Sequence, residues 1–231
     1  MPLAGLLSLA LVAVAAAHSV LTYPGWRGNN LITNETFPYG MQWIYPCGGV
    51  PTTKNRTYWP TTGGAVSFQP GWFRGHSLAL IYVNLGFGTD GPDGGPPNMS
   101  NPMVHPLQII GPTNNPYPGT VCLPQVPLPA NASVKAGDKA TIQVVELAQH
   151  GAALYSCVDI IFADPGDPRI PEVNETNCFN STEIGFASMY TITTKNPGSS
   201  NYAKSGAVRS IESLSWLGFL SLLLGAFWAL P

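Results

Sequence analysis

The sequence is poor in charged residues, and neither sign of charge dominates. Ten Lys and Arg residues stand against twelve Asp and Glu residues, so the formal net charge is −2. No cluster of basic side chains appears, which argues against nucleic acid as a partner. The four cysteines include no C-x-x-C pair, so a structural zinc site of the usual spacing is not expected.

Several catalytic signatures are also missing. The chain contains no G-x-S-x-G nucleophile elbow, no H-E-x-x-H motif and no phosphate-binding loop. Its carboxylates form no obvious pair for acid–base catalysis, because most aspartates stand among Gly and Pro, where Asp is a common turn residue. These turn aspartates are Asp90, Asp93, Asp164 and Asp167.

Long apolar runs occur only at the two ends of the chain. Residues 1–17 carry no charged side chain and end in three alanines. An apolar run followed by small residues is typical of a secretory signal peptide. Cleavage after Ala17 would make His18 the first residue, whereas a shift of one position would expose Ala17 or Ser19 instead.

The C-terminal run, residues 216–231, is apolar to its last residue and has no Lys or Arg after it. Three small residues begin at Ser205, and a polar spacer joins them to the run. This arrangement predicts a GPI-attachment signal, with Ser205 as the attachment site and residues 206–231 removed. Asn201 or Ser200 would also serve for attachment, and a single tail-anchoring helix is the alternative to a GPI signal.

In a secreted chain, the cysteines are expected to form disulfides and the asparagines of N-x-S/T sequons to be glycosylated. Four cysteines in an oxidising compartment predict two disulfides, for which three pairings are possible. Six N-x-S/T sequons predict glycosylated, exposed segments. The cysteines are Cys47, Cys122, Cys157 and Cys178, and the sequon asparagines are Asn34, Asn55, Asn98, Asn131, Asn174 and Asn180.

Between the two ends, the chain predicts an all-β domain over residues 18–194, followed by a polar linker over residues 195–205. Segments rich in β-branched and aromatic residues alternate with loops that contain many of the 23 prolines and 25 glycines. Short strands with long Pro/Gly-rich loops favour an antiparallel β-sandwich. The predicted strands are 65–68, 78–85, 140–147, 153–162 and 187–192, and the predicted turn-rich connections are 91–102 and 111–129.

His18 would have a chemical capacity that an internal histidine lacks. At the first position, its α-amine and its ring Nδ1 can close one chelate ring on one metal ion. The ordinary pKa of an α-amine is about 7.7–8.0, so giving up a proton to a metal costs little near neutral pH. One more imidazole completes three nitrogen ligands, a set that suits Cu(II). The alternative is that His18 is an ordinary first residue.

Three other histidines could supply that further imidazole. His76 stands at the entry to a predicted strand, with a surface turn as the alternative interpretation. His105 lies next to a proline in "NPMVHPLQI" and is its main rival. His150 falls in a predicted hairpin turn, where we expect a solvated loop residue.

Asp159 is the most unusual residue of the sequence. It stands in the apolar stretch "LYSCVDIIF". A carboxylate in such a strand must be paired, bound to a metal or turned to water. Arg74, two residues before His76, is one candidate for a partner charge.

The motifs in their order along the chain resemble a known family. They are "AAA" before His18, "YPCGGVP" around Cys47, "RGHSLAL" around His76, "GTVCLPQVPLP" around Cys122, "GDKATIQVVELAQHGAALYSCVDIIF", and the C-terminal anchor signal. Together they resemble the fungal copper-binding proteins that look like lytic polysaccharide monooxygenases but form a separate group. This is the copper-acquisition-factor type, whose members are usually GPI-anchored.

The resemblance implies an immunoglobulin-like β-sandwich with a histidine brace formed by His18 and His76. It also implies Asp159 as a ligand, where the true oxygenases commonly have Tyr or Phe at the axial position. A hard anionic ligand should favour Cu(II) and occupy a position that oxygen chemistry needs. The implied disulfides are Cys47–Cys157 and Cys122–Cys178.

The resemblance therefore implies a monomeric cell-surface protein that binds one Cu(II) ion for uptake or homeostasis, without cleaving polysaccharide. A GPI lipid would hold it on the outer face of the plasma membrane or in the wall, where a membrane copper transporter is a candidate partner. One alternative is a copper-dependent monooxygenase acting on wall glycans. The other is a metal-free glycosylated wall protein.

Overall fold

The computed structural model describes residues 19–31, 34, 42–71, 76, 78–111 and 119–188. Within these ranges the chain is strand and loop, apart from one 3-10 turn at Pro92–Gly94. The all-β class predicted from the sequence is confirmed. The strands are β1 (Val20–Tyr23), β2 (Thr57–Pro60), β3 (Gly64–Gln69), β4 (Leu78–Phe87), β5 (Asn101–Pro102), β6 (Leu107–Ile110), β7 (Val121–Val126), β8 (Lys139–Ala148), β9 (Ala153–Ala163) and β10 (Gly185–Ser188).

Several sequence predictions fall outside these ranges. They are the signal peptide 1–17, His18, Arg74, the linker 195–205, Ser205 with its alternatives Ser200 and Asn201, and the segment 206–231. Every described residue belongs to the first of the two compact units of the chain. In the described part, no helix is long and apolar enough to span a bilayer.

The described strands form two sheets. The smaller has the order β1-β3-β7, and the larger has the order β10-β6-β4-β8-β9-β2, with β5 paired to β4. All pairs are antiparallel except β2 with β9, which run parallel. This exception departs from the antiparallel prediction. It is possible because β2 and β9 are far apart in sequence, so no hairpin turn fixes their relative direction.

The core lies between the two sheets. In β4 the burial alternates along the strand, as expected when one face packs inward. Burying one such aliphatic side chain fully stabilises the fold by about 1.5–3 kcal/mol. Fully buried members include Val66 and Phe68 of β3, Val121 of β7, Ile81, Val83 and Leu85 of β4, and Ile142 and Ile160 of β8 and β9.

Strands β8 and β9 are buried on both faces, since a loop covers the face turned away from the core. The disulfide Cys47–Cys157 joins this loop to β9. A second disulfide, Cys122–Cys178, joins β7 to the segment before β10. The structure thus contains both disulfides, with the pairing that the resemblance implied.

Strand β7 shows why some strands were missed in the sequence. It lies inside the predicted turn-rich connection 111–129 and contains Pro124. Proline cannot donate a ladder hydrogen bond, so it is tolerated in a strand mainly at a sheet edge, and β7 is an edge strand. Strands β1, β2 and β6 are four residues each, too short for a periodic signal. Residues 189–192 of the last predicted strand lie outside the described ranges.

All six sequon asparagines are exposed, as the sequence led us to expect. At Asn98 and Asn174 the side-chain oxygen accepts hydrogen bonds from the hydroxyl of the sequon Ser or Thr. The amide nitrogen that would carry a glycan makes neither of these contacts. Attachment of glycans at these sites remains a prediction.

We expect Gly48→Ala to destabilise the protein by about 2 kcal/mol or more, because it combines two penalties. Gly48 has a φ of 65°, and an added Cβ would lie 2.2 Å from Nδ2 of Asn30 and 2.8 Å from the carbonyl oxygen of Tyr155. Gly137→Ala is the matched control, since Gly137 has a φ of 94° and a Cβ added there would meet no atom within 4 Å outside its chain neighbours. Urea unfolding of both variants separates the clash from the backbone strain. Equal losses of stability would contradict the packing argument.

Candidate metal centre

The pairing of β4 with β8 determines where His76 lies. The two strands are antiparallel, and Ala79 at the start of β4 pairs with Ala148 at the end of β8. The backbone N–H of Gln149 also donates to the carbonyl of Leu78 over 3.0 Å. His76, two residues before β4, therefore lies beside the turn that follows β8.

His76 is bonded to a carboxylate that the sequence analysis did not select. Its ring Nδ1 lies 2.5 Å from Oε1 of Glu146 in β8. Both side chains are buried, with 2 % of the His76 side chain and none of the Glu146 side chain exposed. Burial raises the pKa of the Glu146 carboxyl, while the hydrogen bond and charge of His76 act in the opposite direction. The bond leaves Nε2 as the free nitrogen of His76.

His150 approaches that free nitrogen. It occupies the predicted turn between β8 and β9 and is exposed, but its Nε2 lies 3.1 Å from Nε2 of His76. The two rings meet edge to face, with centroids 4.9 Å apart. Burial lowers the pKa of His150, and the charge of His76 lowers it further. His150 is therefore an exposed turn residue, as expected from the sequence, and its Nε2 additionally contacts His76.

Ser19 is held firmly next to these residues. Its backbone N–H donates to Oε1 of Gln42 over 2.6 Å, and its carbonyl accepts from the Gln42 amide and the Ser156 hydroxyl. Gln42 is itself fixed, because its carbonyl accepts from the N–H of Tyr155 in β9. The Ser19 hydroxyl lies close enough to Glu146 to lower the pKa of that carboxyl.

Two polar atoms at this place lack partners among the described residues. They are Oε2 of Glu146 and Oγ of Ser19, and both are buried. A buried polar group without a hydrogen bond is costly, and folded proteins contain few of them. Because the Ser19 side chain is close enough to lower the pKa of Glu146, the two atoms compensate each other in part, and a cation at this place would compensate them further.

The described residues alone do not make a metal site. They contain no group of three or more His, Cys, Asp or Glu side chains placed to hold an ion. His76 and His150 supply two nitrogens. The residue joined to Ser19 is His18, which the sequence analysis singled out and which lies outside the described ranges.

Asp159 is not brought to His76, and its expected role as a ligand is corrected. It pairs in the ladder with Thr141, five residues along β8 from Glu146, which corresponds to about 17 Å at the usual rise per residue. Because five is odd, the two carboxylates also lie on opposite faces of the sheet. Glu146 shares the core face, whereas Asp159 lies on the face covered by the loop.

The partners of Asp159 account for its burial without a metal. Its Oδ1 accepts from Nη2 of Arg27 over 2.7 Å and from the Thr141 hydroxyl over 2.6 Å. Its Oδ2 accepts from the backbone N–H of Thr53 over 3.0 Å. A second guanidinium, that of Arg56, lies 4.0 Å away. The partner charge is therefore Arg27, whereas the sequence analysis had considered Arg74.

His105 is excluded as the partner of a brace that includes His76. It is exposed and lies two residues before β6. The neighbouring Met103 bonds to Val83 of β4, seven residues beyond His76, which corresponds to about 24 Å. Of the three internal histidines, the structure thus brings together His76 and His150.

A signal for Glu146 was present in the sequence. The residue stands in "IQVVELA", a carboxylate within an apolar strand, and the argument applied to Asp159 covers it equally. The contact with His150 had no such signal, since it depends on the register of β4 against β8.

Comparison with known proteins agrees with this picture of the fold and the motifs. Residues 16–183 match the model of a family described as copper acquisition factor BIM1-like. A protein of Hypocrea jecorina called lytic polysaccharide monooxygenase-like protein X325 is 71% identical over 99% of both chains. In Neurospora crassa, lytic polysaccharide monooxygenase-like protein ham-7 is 65% identical over 96% of both chains.

The solved structures that are similar include one that covers most of this chain. It is the fusolin of Wiseana entomopoxvirus spindles, at 16% identity and a TM-score of 0.32 over 86% of this chain and 75% of that one. Because both the identity and the TM-score are low, this similarity supports no inference about the site.

Proposed function

The chain belongs to the copper acquisition factor BIM1-like family, and on that premise we propose that it holds one Cu(II) ion at the cell surface for uptake or homeostasis. The ligands are the α-amine and ring Nδ1 of His18 and Nε2 of His76. When bound, copper supplies a cation that prefers nitrogen donors. The protein's own side chains orient these ligands and satisfy the polar groups around them.

The observation that carries this proposal is the bond between His76 and Glu146. Histidines that bind metals usually donate their other ring N–H to a carboxylate or carbonyl, which fixes the ring and its tautomer. Here Nδ1 faces Glu146 over 2.5 Å, so Nε2 is the nitrogen available to an ion. Glu146 is a positioning residue in this account.

The charge of the site favours a cation. A buried carboxylate is costly unless a positive charge or hydrogen bonds compensate it. Glu146 is fully buried, and its Oε2 has no partner among the described residues. A cation held by His76 would offset this cost.

The anchoring of Ser19 supports His18 as the other ligand. Consecutive Cα atoms are about 3.8 Å apart, so a residue joined to Ser19 begins near the position that Gln42 and Ser156 fix. Cleavage after Ala17, as predicted from the sequence, would add a free amine there.

The position of Asp159 also bears on whether the protein cleaves polysaccharide. Part of the case against cleavage was a carboxylate ligand from Asp159, and that residue lies elsewhere. Trp43 and Tyr45 follow Gln42 in the chain and are each 58% exposed, which favours contact with a sugar ring. A copper monooxygenase acting on wall glycans is therefore the second candidate. Oxidised oligosaccharides released from chitin or glucan by the copper-loaded protein and a reductant would favour it.

The location at the cell surface is part of the proposal. It includes the GPI lipid at Ser205, glycans on the exposed sequons and a membrane copper transporter as the receiving partner. Mass spectrometry of the mature protein tests the first residue, the attachment site and the glycans together.

Loss of His76 tests the proposed function directly. We expect His76→Ala to weaken Cu(II) binding by about 100-fold or more in the chain that begins at His18, since one ligand of a chelating set is removed. His105→Ala is the matched control, because His105 is exposed and distant, and it should leave the affinity unchanged. Isothermal titration with a competing chelator measures both. Equal affinity in the two variants would refute the proposed site.

A further inference from the structure

We propose that His150 is an additional copper ligand, which binds through Nε2 and adds a third imidazole to those of His18 and His76. This inference rests on the proposed function. It concerns a residue whose sequence context, a turn between two strands, predicts no ligand.

The distance between the two ring nitrogens supports a shared ion. Bonds of about 2.0–2.1 Å that meet at roughly 90–110° place two nitrogen ligands about 2.9–3.4 Å apart. The Nε2 atoms of His76 and His150 are 3.1 Å apart, within that interval. The edge-to-face meeting of the rings, with 72° between their planes, keeps both nitrogens at the contact.

The fold fixes this separation from both sides. His76 is tied to β8 through Glu146, and His150 belongs to the turn that closes β8 onto β9. The ladder between β4 and β8 therefore holds one histidine on each side of the same gap. Neither side chain has to move far to meet an ion there.

Metal-free, the same atoms form a hydrogen-bond chain. The N–H of Ala152 donates to Nδ1 of His150, which leaves the proton on Nε2 of His150 to point at His76. To bind copper, His150 shifts this proton to Nδ1 and gives up the bond to Ala152. That bond is long, at 3.3 Å, and exposed to water, so its loss costs little. No net proton is released from His150.

With His150 included, the site has enough nitrogen donors for one Cu(II) ion. His18 contributes an amine and one ring nitrogen, and His76 contributes one more. His150 would complete four nitrogens, a number that suits the tetragonal coordination of Cu(II). Glu146 then remains a positioning residue behind His76.

The test is His150→Asn in the chain that begins at His18, with His105→Ala as control. Asn is a favoured turn residue, so the hairpin should form as before. We expect Cu(II) affinity to fall at least about tenfold. Loss of a residue that only hydrogen-bonds to a metal ligand already costs about 10- to 100-fold in affinity, and His150 would itself be a ligand. Pulsed EPR should count three coordinated imidazoles in the unaltered protein and two in the variant, with no change in the control.

The outcomes separate the inference from the function on which it rests. If the unaltered protein fails to bind Cu(II), the proposed function fails. If it binds Cu(II) and His150→Asn keeps the affinity and the imidazole count, His150 is not a ligand. Tighter binding by the variant would also overturn the inference, since His150 would then compete with copper for His76.

Discussion

A chain that keeps one extra residue before His18 is expected to bind Cu(II) about 100-fold more weakly, or worse, than the chain that begins at His18. The extension converts the α-amine into an amide, which is no longer a free base. The ring of His18 then binds alone, without the chelate ring that it shares with its own amine. Affinity lost in this way reflects effective concentration, because two linked donors bind as one unit.

The experiment compares two preparations of the soluble domain, one beginning at His18 and one beginning with an added glycine. A competition titration gives the Cu(II) affinity, and EPR gives the number of nitrogen ligands. The same glycine added to a His76→Ala chain is the control, which should show a smaller further loss. Equal affinity of the extended and correct chains would exclude a brace at the N-terminus.

Asp159→Asn is expected to destabilise the fold by about 3 kcal/mol or more while leaving copper affinity unchanged. The change leaves the guanidinium of Arg27 without its counter-charge, at a place where the side chains of Arg27 and Asp159 are 5% and 0% exposed. Removing one member of a buried pair is costly, because the other charge stays buried. Unfolding by urea and titration with Cu(II) measure the two quantities on the same protein.

Asp167→Asn is the matched control for the charge change. Asp167 also pairs with an arginine, Arg169, at 2.6 Å, but at the exposed surface. That guanidinium lowers the pKa of Asp167 to about 2, yet an exposed ion pair contributes little to stability. If Asp159→Asn instead lowers copper affinity and leaves stability intact, its expected role as a ligand is restored.

The sequence predicted the long strands well, because their composition and their bounding turns are strong local signals. The ends of strands β4, β8 and β9 lie within two residues of their predicted ends. In the smaller sheet, β3 was predicted as well, whereas β1 and β7 had no comparable signal, since they form only against a partner far away in sequence. β7 even carries Pro124, which is tolerated because of its place at a sheet edge.

The candidate site was predicted only in part, for a related reason. His76 could be singled out from its position before an apolar strand, whereas its contact with His150 depends on strand register. Asp159 and Glu146 give the same signal, a carboxylate in an apolar strand. Which one faces the site depends on the ladder, since they lie on opposite faces of one sheet.

Their partners distinguish the two carboxylates physically. Asp159 lies under the loop with a guanidinium, a hydroxyl and a backbone N–H, which satisfy both of its oxygens. Glu146 has His76 on one oxygen and no partner among the described residues on the other. An unsatisfied oxygen is a feature of the folded protein that sequence composition does not reveal.

The disulfide between Cys47 and Cys157 has a consequence for the order of events in the cell. It holds the loop that carries Gln42, and Gln42 in turn grips the backbone of Ser19. In a reducing cytosol this disulfide would be reduced, and the loop that holds Ser19 at the start of β1 would no longer be fixed to β9. Under the proposed function, capture of copper would therefore begin only after this disulfide has formed, and the newly made, reduced chain would not hold the metal.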